Sequence, residues 1–289
     1  VIDSPSVSGA YRFTLRPGVN SILEVTAELH PRRDIDNPGI APLSSMFLLG
    51  GADRGRFDDW RPEVHDSDGV AILTAGGDQL WRPLANPVSI QVAKDNATSL
   101  KGFGLEQRTR LPEAYADLEA KYEKRSSVWI EPEGDWGPGE VNVVELPTAT
   151  EYEDNIAAYW RPAQPWRAGQ TIKLGYKLHF TSASPGRAPI ARVVSTRTGA
   201  SPHARNLRRF VIDFAAEGAS TLSPASLPDV GGSAGAISNA TVADGGAPGR
   251  VRLTFDLDPK GATAIDLHAA LRNETSQQTE TWLFRWTPE

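Results

Sequence analysis

Along the chain, apolar residues recur in short runs that alternate with polar ones, and Gly, Pro, Asn or Asp bounds each run. A period of two puts one set of side chains on a buried face and the other in water, so these runs predict half-buried β-strands. They fall at 9–15, 21–29, 45–49, 79–83, 88–92, 102–107, 127–130, 141–146, 156–160 and 171–180. One segment, 113–124, predicts a helix. There Ala114, Tyr115, Leu118 and Tyr122 fall at three- and four-residue spacings, and Pro112 stands where a first helical turn tolerates it.

The pattern changes at 181–189, TSASPGRAP, a small, polar and proline-punctuated stretch of the kind that joins domains. Beyond it come further strand-like runs at 190–196, 208–214, 220–222 (weak), 236–242, 250–257, 265–272 and 281–286. That density of short strands with Gly, Ser and Pro turns predicts a small immunoglobulin-like sandwich over 190–289. Residues 1–180 predict a larger β-sandwich. Its opening residues, SGAYRFTLRPG, read as a strand already inside a sheet, so the large sandwich is expected to be incomplete at its N-terminus. The expected fold class is therefore all-β, in two sections.

Composition narrows the function. At 289 residues with 39% hydrophobic content the chain has enough apolar material for a proper core. The net charge of −6 argues against nucleic acid as a partner. No window approaches the 18 apolar residues of a membrane span, and the start, VIDSPSVSGAYRF, lacks the basic and apolar regions of a signal peptide. With no Cys there is neither a disulfide nor a thiolate site, and composition leaves the compartment open. His30, His65, His179, His203 and His268 form no pair at helical metal-ligand spacing, so no metal and no cofactor is expected. The Gly-Gly pairs lack the Lys-Ser/Thr of a phosphate loop and read as turns.

What remains is acid beside aromatic ring. The segment 127–160 is dense in both, as a sugar site requires, because a pyranose offers hydroxyls to carboxylates and an apolar C–H face to Trp or Tyr. Two acidic clusters stand out. The first, WRPEVHDSDG at 60–69, sets Asp66 and His65 near Trp60 and Arg61, and its plain reading is an Asx turn. The second is Glu151, Glu153 and Asp154, just before the apolar run 156–160, and its plain reading is a solvated loop. Its functional reading has a mechanism. Crowded carboxylates shielded by a ring raise the pKa of one of them, and a carboxyl held protonated near neutral pH is a glycosidase general acid.

Several blocks, in order, resemble the periplasmic glucan biosynthesis protein G and D family. They include SPSVSGAYRFTLRPG (4–18), APLSSMFLLG (41–50), WRPEVHDSDG (60–69), LWRPLANP (80–87), GFGLEQR (102–108), YADLEAKYEKRSSVWIEPEGDWGPGEVNVVELPT (115–148), EDNIAAYW (153–160) and, more weakly, TETWLFRW (279–286). The resemblance covers essentially the whole chain, which corresponds to the C-terminal three-fifths or so of a full member. It implies a periplasmic location, β-1,2-linked glucan chains as ligand, and anomer-inverting cleavage or transglycosylation of that backbone without cofactor. Residue by residue, it implies Asp154 as general acid, Asp66 as the partner carboxylate and Tyr122 as a substrate contact. Trp81, Arg82, Trp60 and His65 are further expected sugar contacts. Partners implied are the glucan itself and an inner-membrane glucan synthase, with oligomeric state open. A non-catalytic glucan-binding or scaffold protein is the alternative from another class; it needs the rings and no acid.

Overall fold

The structure, a computed structural model, describes residues 1–289 except 55, 183, 184, 219–221 and 289. It is almost wholly β, as the alternating runs predict. Eleven strands form one sheet, in the order Ile2–Asp3, Val7–Arg16, Ser21–Pro31, Ile172–Thr181, Ser127–Pro132, Leu100–Glu106, Gly69–Thr74, Gln79–Pro83, Thr281–Trp286, Ile265–Arg272, Leu227–Gly232. A four-stranded sheet, Ile40–Ser45, Ile156–Pro162, Gly139–Glu145 and Gln91–Ala97, covers one face of its first part. A second four-stranded sheet, Arg192–Ala200, Arg208–Ala215, Arg250–Asp258 and Ala236–Asp244, covers the opposite face of its last part.

The strand Gly69–Thr74 explains how these layers join. Val70 and Ile72 point into the first core, with Phe103, Val143 and Trp160, while Ala71 and Leu73 point into the second, with Phe210, Phe255 and Trp282. Every residue of it is buried. A strand with a core on each face has no polar side, so GVAILT shows no alternation, and the sequence pattern passes over it. Aromatic rings pave the same layer. Trp81 lies over Gly69 and Trp129 over Gly102, so closely that a Cβ on either glycine would collide with the indole.

The chain is therefore not split at 181–189 in the way expected. Strand Thr281–Trp286 pairs in parallel with Gln79–Pro83, Thr281 opposite Leu80 and Trp282 opposite Trp81. The core expected to belong to 190–289 alone also contains Ala52, Ala71, Leu73, Trp81 and Trp129 from the first section. Nor is the connector free: the Arg187 side chain is buried, its Nε donates to Gln79 Oε1 at 2.9 Å, and Gln79 Nε2 donates to Ala188 O at 3.1 Å. Its small, polar composition is that of a linker, but long-range partners hold it down. A sandwich of two sheets does form around the later strands, tied by the Trp282 indole N–H donating to Thr196 Oγ1 at 3.0 Å.

The helix expected at 113–124 is another correction. Only Pro112–Tyr115 is helical, Ala116 turns left-handed at φ 56, and a 3₁₀ turn follows at Tyr122–Lys124. Asp117 breaks the run because its Oδ1 accepts from the N–H groups of Glu119 and Ala120, both at 2.8 Å. Side-chain capping of this kind competes directly with helical hydrogen bonds. Tyr115 and Tyr122 are buried together with Met46, Leu48, Leu49 and Val64, whereas Leu118 is exposed. The run 88–92 is displaced to a strand Gln91–Ala97, and Leu227–Gly232 is a strand that the sequence pattern missed. Of the weak run 220–222, residues 220 and 221 lie outside the described residues, and Leu222 is not in a strand. No helix among the described residues is long and apolar enough to cross a membrane.

Candidate functional site

Asp66 and Asp154, far apart in sequence, line one cavity of about 210 Å³, together with Ser44, Ser67, Arg125 and Val128. The sheet edge brings them there. Strand Ile156–Pro162 pairs with Ile40–Ser45, which lays the loop before Ile156 against Ser44, and the Ser44 hydroxyl donates to Asp154 Oδ2 at 2.7 Å. Asp66 follows the two-residue strand Val64–His65, and its N–H donates to Met46 O at 2.9 Å. Beneath them the Ser45 hydroxyl donates to Ser67 Oγ at 2.9 Å, joining the two segments inside the protein.

The loop 151–155 sorts its own acids. Glu151 pairs with Arg61 at 2.5 Å, and Arg61 also holds Asp59 and Asp117. Glu153 accepts from the Thr148 hydroxyl at 2.9 Å. Asn155, buried, closes the loop: its Oδ1 accepts from Phe47 N–H at 2.8 Å, and its Nδ2 donates to Phe47 O and Leu146 O at 3.0 Å. Asp154 is the acid of this loop that reaches the cavity. Crowding among the three carboxylates, the cause expected from sequence, is thus relieved by separate partners.

The carboxyl pushed above the usual Asp range is Asp66. Burial is the main cause, the negative charge of Asp154 adds to it, and Arg125 and His65 oppose it. Arg125 Nε lies 3.0 Å from Asp66 Oδ1, an ion pair whose atoms are not aligned as a hydrogen bond. The Arg125 guanidinium also sits over the Tyr122 ring, 5.7 Å from its centre.

Other expected sugar contacts are placed differently. Tyr122 is buried, 3% exposed, behind Arg125 instead of lining the cavity, and burial pushes its phenol up to about 12. His65 is buried too, stacked on Phe47 with ring centres 5.3 Å apart. Trp81 is 3% exposed in the second core with Arg108 over its ring, so its face is not offered to a sugar. Arg82 forms a two-pronged pair with Asp95, at 2.9 and 2.6 Å, and lines a different cavity with Asp266 and His268. Only Trp60 has an open face, at 73% exposure, and Tyr152, which the sequence reading assigned no contact, is 90% exposed. The Arg61–Glu151 pair sets these two rings on adjoining loops. Ser44, Arg125 and Asn155 were the residues missed. Each lies in a resembling block, but single polar residues carry no periodic signal, and only contacts between distant segments give them roles.

Among the described residues, Glu63, His65 and Asp68 each bring one side-chain N or O atom to a point where the three lie within 4.8 Å of one another. Protein donors already occupy it. Asp68 Oδ2 accepts from the N–H of Arg108 and from that of Thr109 at 2.8 Å, and its Oδ1 accepts from the Thr109 hydroxyl at 2.9 Å. These donors on Asp68, and Arg125 beside Asp66, stand in place of the Asx turn expected at Asp66 or Asp68.

A second cavity, of about 150 Å³, is lined by Ala52, Glu145, Arg208, Phe284 and Trp286. Burial pushes Glu145 up to about 7 from 4.5, against the pull of the Ala85 N–H and Arg82. Because the folded-state value is the higher one, stability is full below about 4.5 and declines as pH rises to about 7. The loss is on the order of 3 kcal/mol. Glu145→Gln should therefore match the parent in urea unfolding at pH 4 and exceed it at pH 8. Equal stability at pH 8 would show that Glu145 ionises without cost.

Fold and site together define an all-β protein with a carboxylate-lined cavity at the edge between two packed sheets. Residues 1–286 match the family described as periplasmic glucan biosynthesis protein, MdoG. The chain is 45% identical over 293 aligned positions to glucans biosynthesis protein G of Vibrio cholerae serotype O1 and to that of Shewanella putrefaciens. It is 44% identical over 290 positions to that of Shewanella baltica. Each alignment covers 99% of this chain and 53% of the relative, so the chain spans about half the length of the curated relatives it matches. The chain belongs to the periplasmic glucan biosynthesis protein family.

Proposed function

We propose that the full-length protein acts in the periplasm on β-1,2-linked glucan, cleaving or transferring the chain with inversion at the anomeric carbon. Asp66 and Asp154 form the carboxylate pair. The observation that carries this reading is that both line one cavity although they come from distant segments. An inverting pair flanks the scissile bond with room for a water between the carboxyl groups. Asp154, matched to the resembling motif, gives its proton to the leaving oxygen. Asp66 must be ionised to activate the incoming water or sugar hydroxyl, and Arg125 beside it favours that charge. Activity should accordingly fall as pH drops through a value above the usual Asp range, because burial has raised Asp66.

The glucan-binding alternative draws on the open rings of Trp60 and Tyr152, which suit stacking on a sugar and need no proton transfer. One experiment separates the two. Full-length protein is incubated with linear β-1,2-glucan, and fresh products are followed by proton NMR for anomeric configuration and by mass for linear or cyclic form. Shortened chains that first appear as the α-anomer, or cyclised chains closed by an α-linkage, support an inverting enzyme. Unchanged glucan that nevertheless binds supports the scaffold role.

A further inference from the structure

Gln107 determines which atoms of His65 carry protons. Its Nε2 donates to two backbone carbonyls, His65 O at 2.9 Å and Tyr122 O at 3.1 Å. The amide orientation is thereby set, because Oε1 in that place would face two acceptors. Oε1 consequently faces His65 Nδ1 at 3.0 Å, and Nδ1 must be an N–H donor. A neutral ring would then leave a lone pair on Nε2. Nε2 lies 3.1 Å from Glu63 Oε2 and 3.7 Å from Asp68 Oδ1. A lone pair facing two carboxylate oxygens in a buried place is repulsive on both sides; a proton there turns both contacts attractive.

We propose that His65 is held as an imidazolium between Glu63 and Asp68, and that it is a positioning residue for Asp66 and Arg125 and does not touch the sugar. This rests on the functional reading above. The ring stacks on Phe47, the residue opposite His65 in the short pair Phe47–Leu49 with Val64–His65, so the charge anchors the strand from which Asp66 emerges. Through Gln107 the same node holds Tyr122 O, the start of the turn that ends at Arg125, whose Nε meets Asp66. One side chain thus ties the two segments that supply the Asp66–Arg125 pair. Charged and titratable groups facing the ring are Glu63 and Asp68 on its own segment and the ring edge of Tyr115 at 5.2 Å. Arg108 lines a small cavity together with Glu63, His65 and Asp68. Burial alone would lower the His65 pKa; the negative charges of Asp68 and Glu63 and the Gln107 contact outweigh it and raise it.

The test has a readout that needs no activity. In ¹⁵N-labelled parent chain, His65 should show both ring nitrogens protonated at pH 7, unchanged by a chelator or by added zinc. A bare Nε2, or a ring signal that shifts with zinc, overturns the proposal. In full-length protein, Glu63→Gln removes one counter-charge with little change of shape. His65 should then lose its proton at lower pH, and the alkaline limb of kcat/KM on glucan should move down with it. Above that limb kcat should drop about 10²-fold, the scale of a misplaced catalytic group, with KM little changed. A limb that stays put while His65 titrates earlier would show that its charge does not position the site. Should the parent not turn over glucan at all, the functional reading fails. The imidazolium is then still judged by NMR, and positioning by whether the Asp66 carboxyl signal follows the His65 titration.

Discussion

Asp154→Asn in the full-length protein should abolish glucan cleavage while leaving fold and glucan binding in place. The amide keeps the shape of the acid and still accepts from the Ser44 hydroxyl, now 2.7 Å from Asp154 Oδ2, but it has no proton to give to a leaving oxygen. Loss of a general acid costs about 10²–10⁴-fold in rate. Stability should change by no more than about 0.5 kcal/mol, since Asp154 is exposed and the loop is held by Asn155, Glu151 and Glu153. Cleavage at the parent rate would remove Asp154 from the mechanism. Its neighbours are poor substitutes, because Glu151 is engaged by Arg61 and Glu153 by Thr148. If binding vanished along with cleavage, the scaffold reading would gain, with Asp154 serving as a hydrogen-bond partner of the sugar.

The largest effect on stability is expected at Glu280, in the resembling block at 279–286. It is fully buried, and both its oxygens are in use. Oε1 accepts from Arg108 Nη1 at 2.5 Å and from the Val193 N–H at 2.7 Å. Oε2 accepts from Arg108 Nη2 at 3.2 Å and from Arg187. Three parts of the chain meet on this carboxylate: the first section through Arg108, the connector through Arg187 and the later strands through Val193. Glu280→Ala removes the shared counter-charge from two buried guanidiniums and leaves the Val193 amide without its acceptor. Breaking a buried pair in this way costs about 3–5 kcal/mol. For a chain of this size the melting temperature should fall on the order of 10 °C. A loss below about 1 kcal/mol would mean that water or Glu106 takes over the neutralisation, and that the joint between sections rests on apolar packing alone.

A strand is visible in the chain only where its buried side chains alternate with polar neighbours that mark them. Ser21–Pro31 alternates buried Val25, Ala27 and Leu29 with exposed residues, so its pattern is visible from the chain alone. Gly69–Thr74 is as much a strand and shows nothing, because packing on both faces erases the alternation. The expected helix failed for the opposite reason: helical spacing was present, but Asp117 captures the amides of Glu119 and Ala120. Trp81 looked like a sugar platform as an aromatic beside Arg82; only the glycine beneath its ring, Gly69, reveals the slot that buries the indole.

By itself the sequence determined the all-β class, because alternation is a local property of each strand. It also determined the family, because ordered blocks extend over the whole chain. It named Asp66 and Asp154 through two of those blocks. Tertiary structure alone decided that the two aspartates share a cavity, that Glu151 and Glu153 are engaged elsewhere, and that His65 and Tyr122 stand behind the site. It also decided that the sections flanking 181–189 are joined by a parallel strand pair and by Glu280. Each of these depends on contacts between residues far apart in the chain, and periodicity within a strand carries no information about which distant partner will lie across from it.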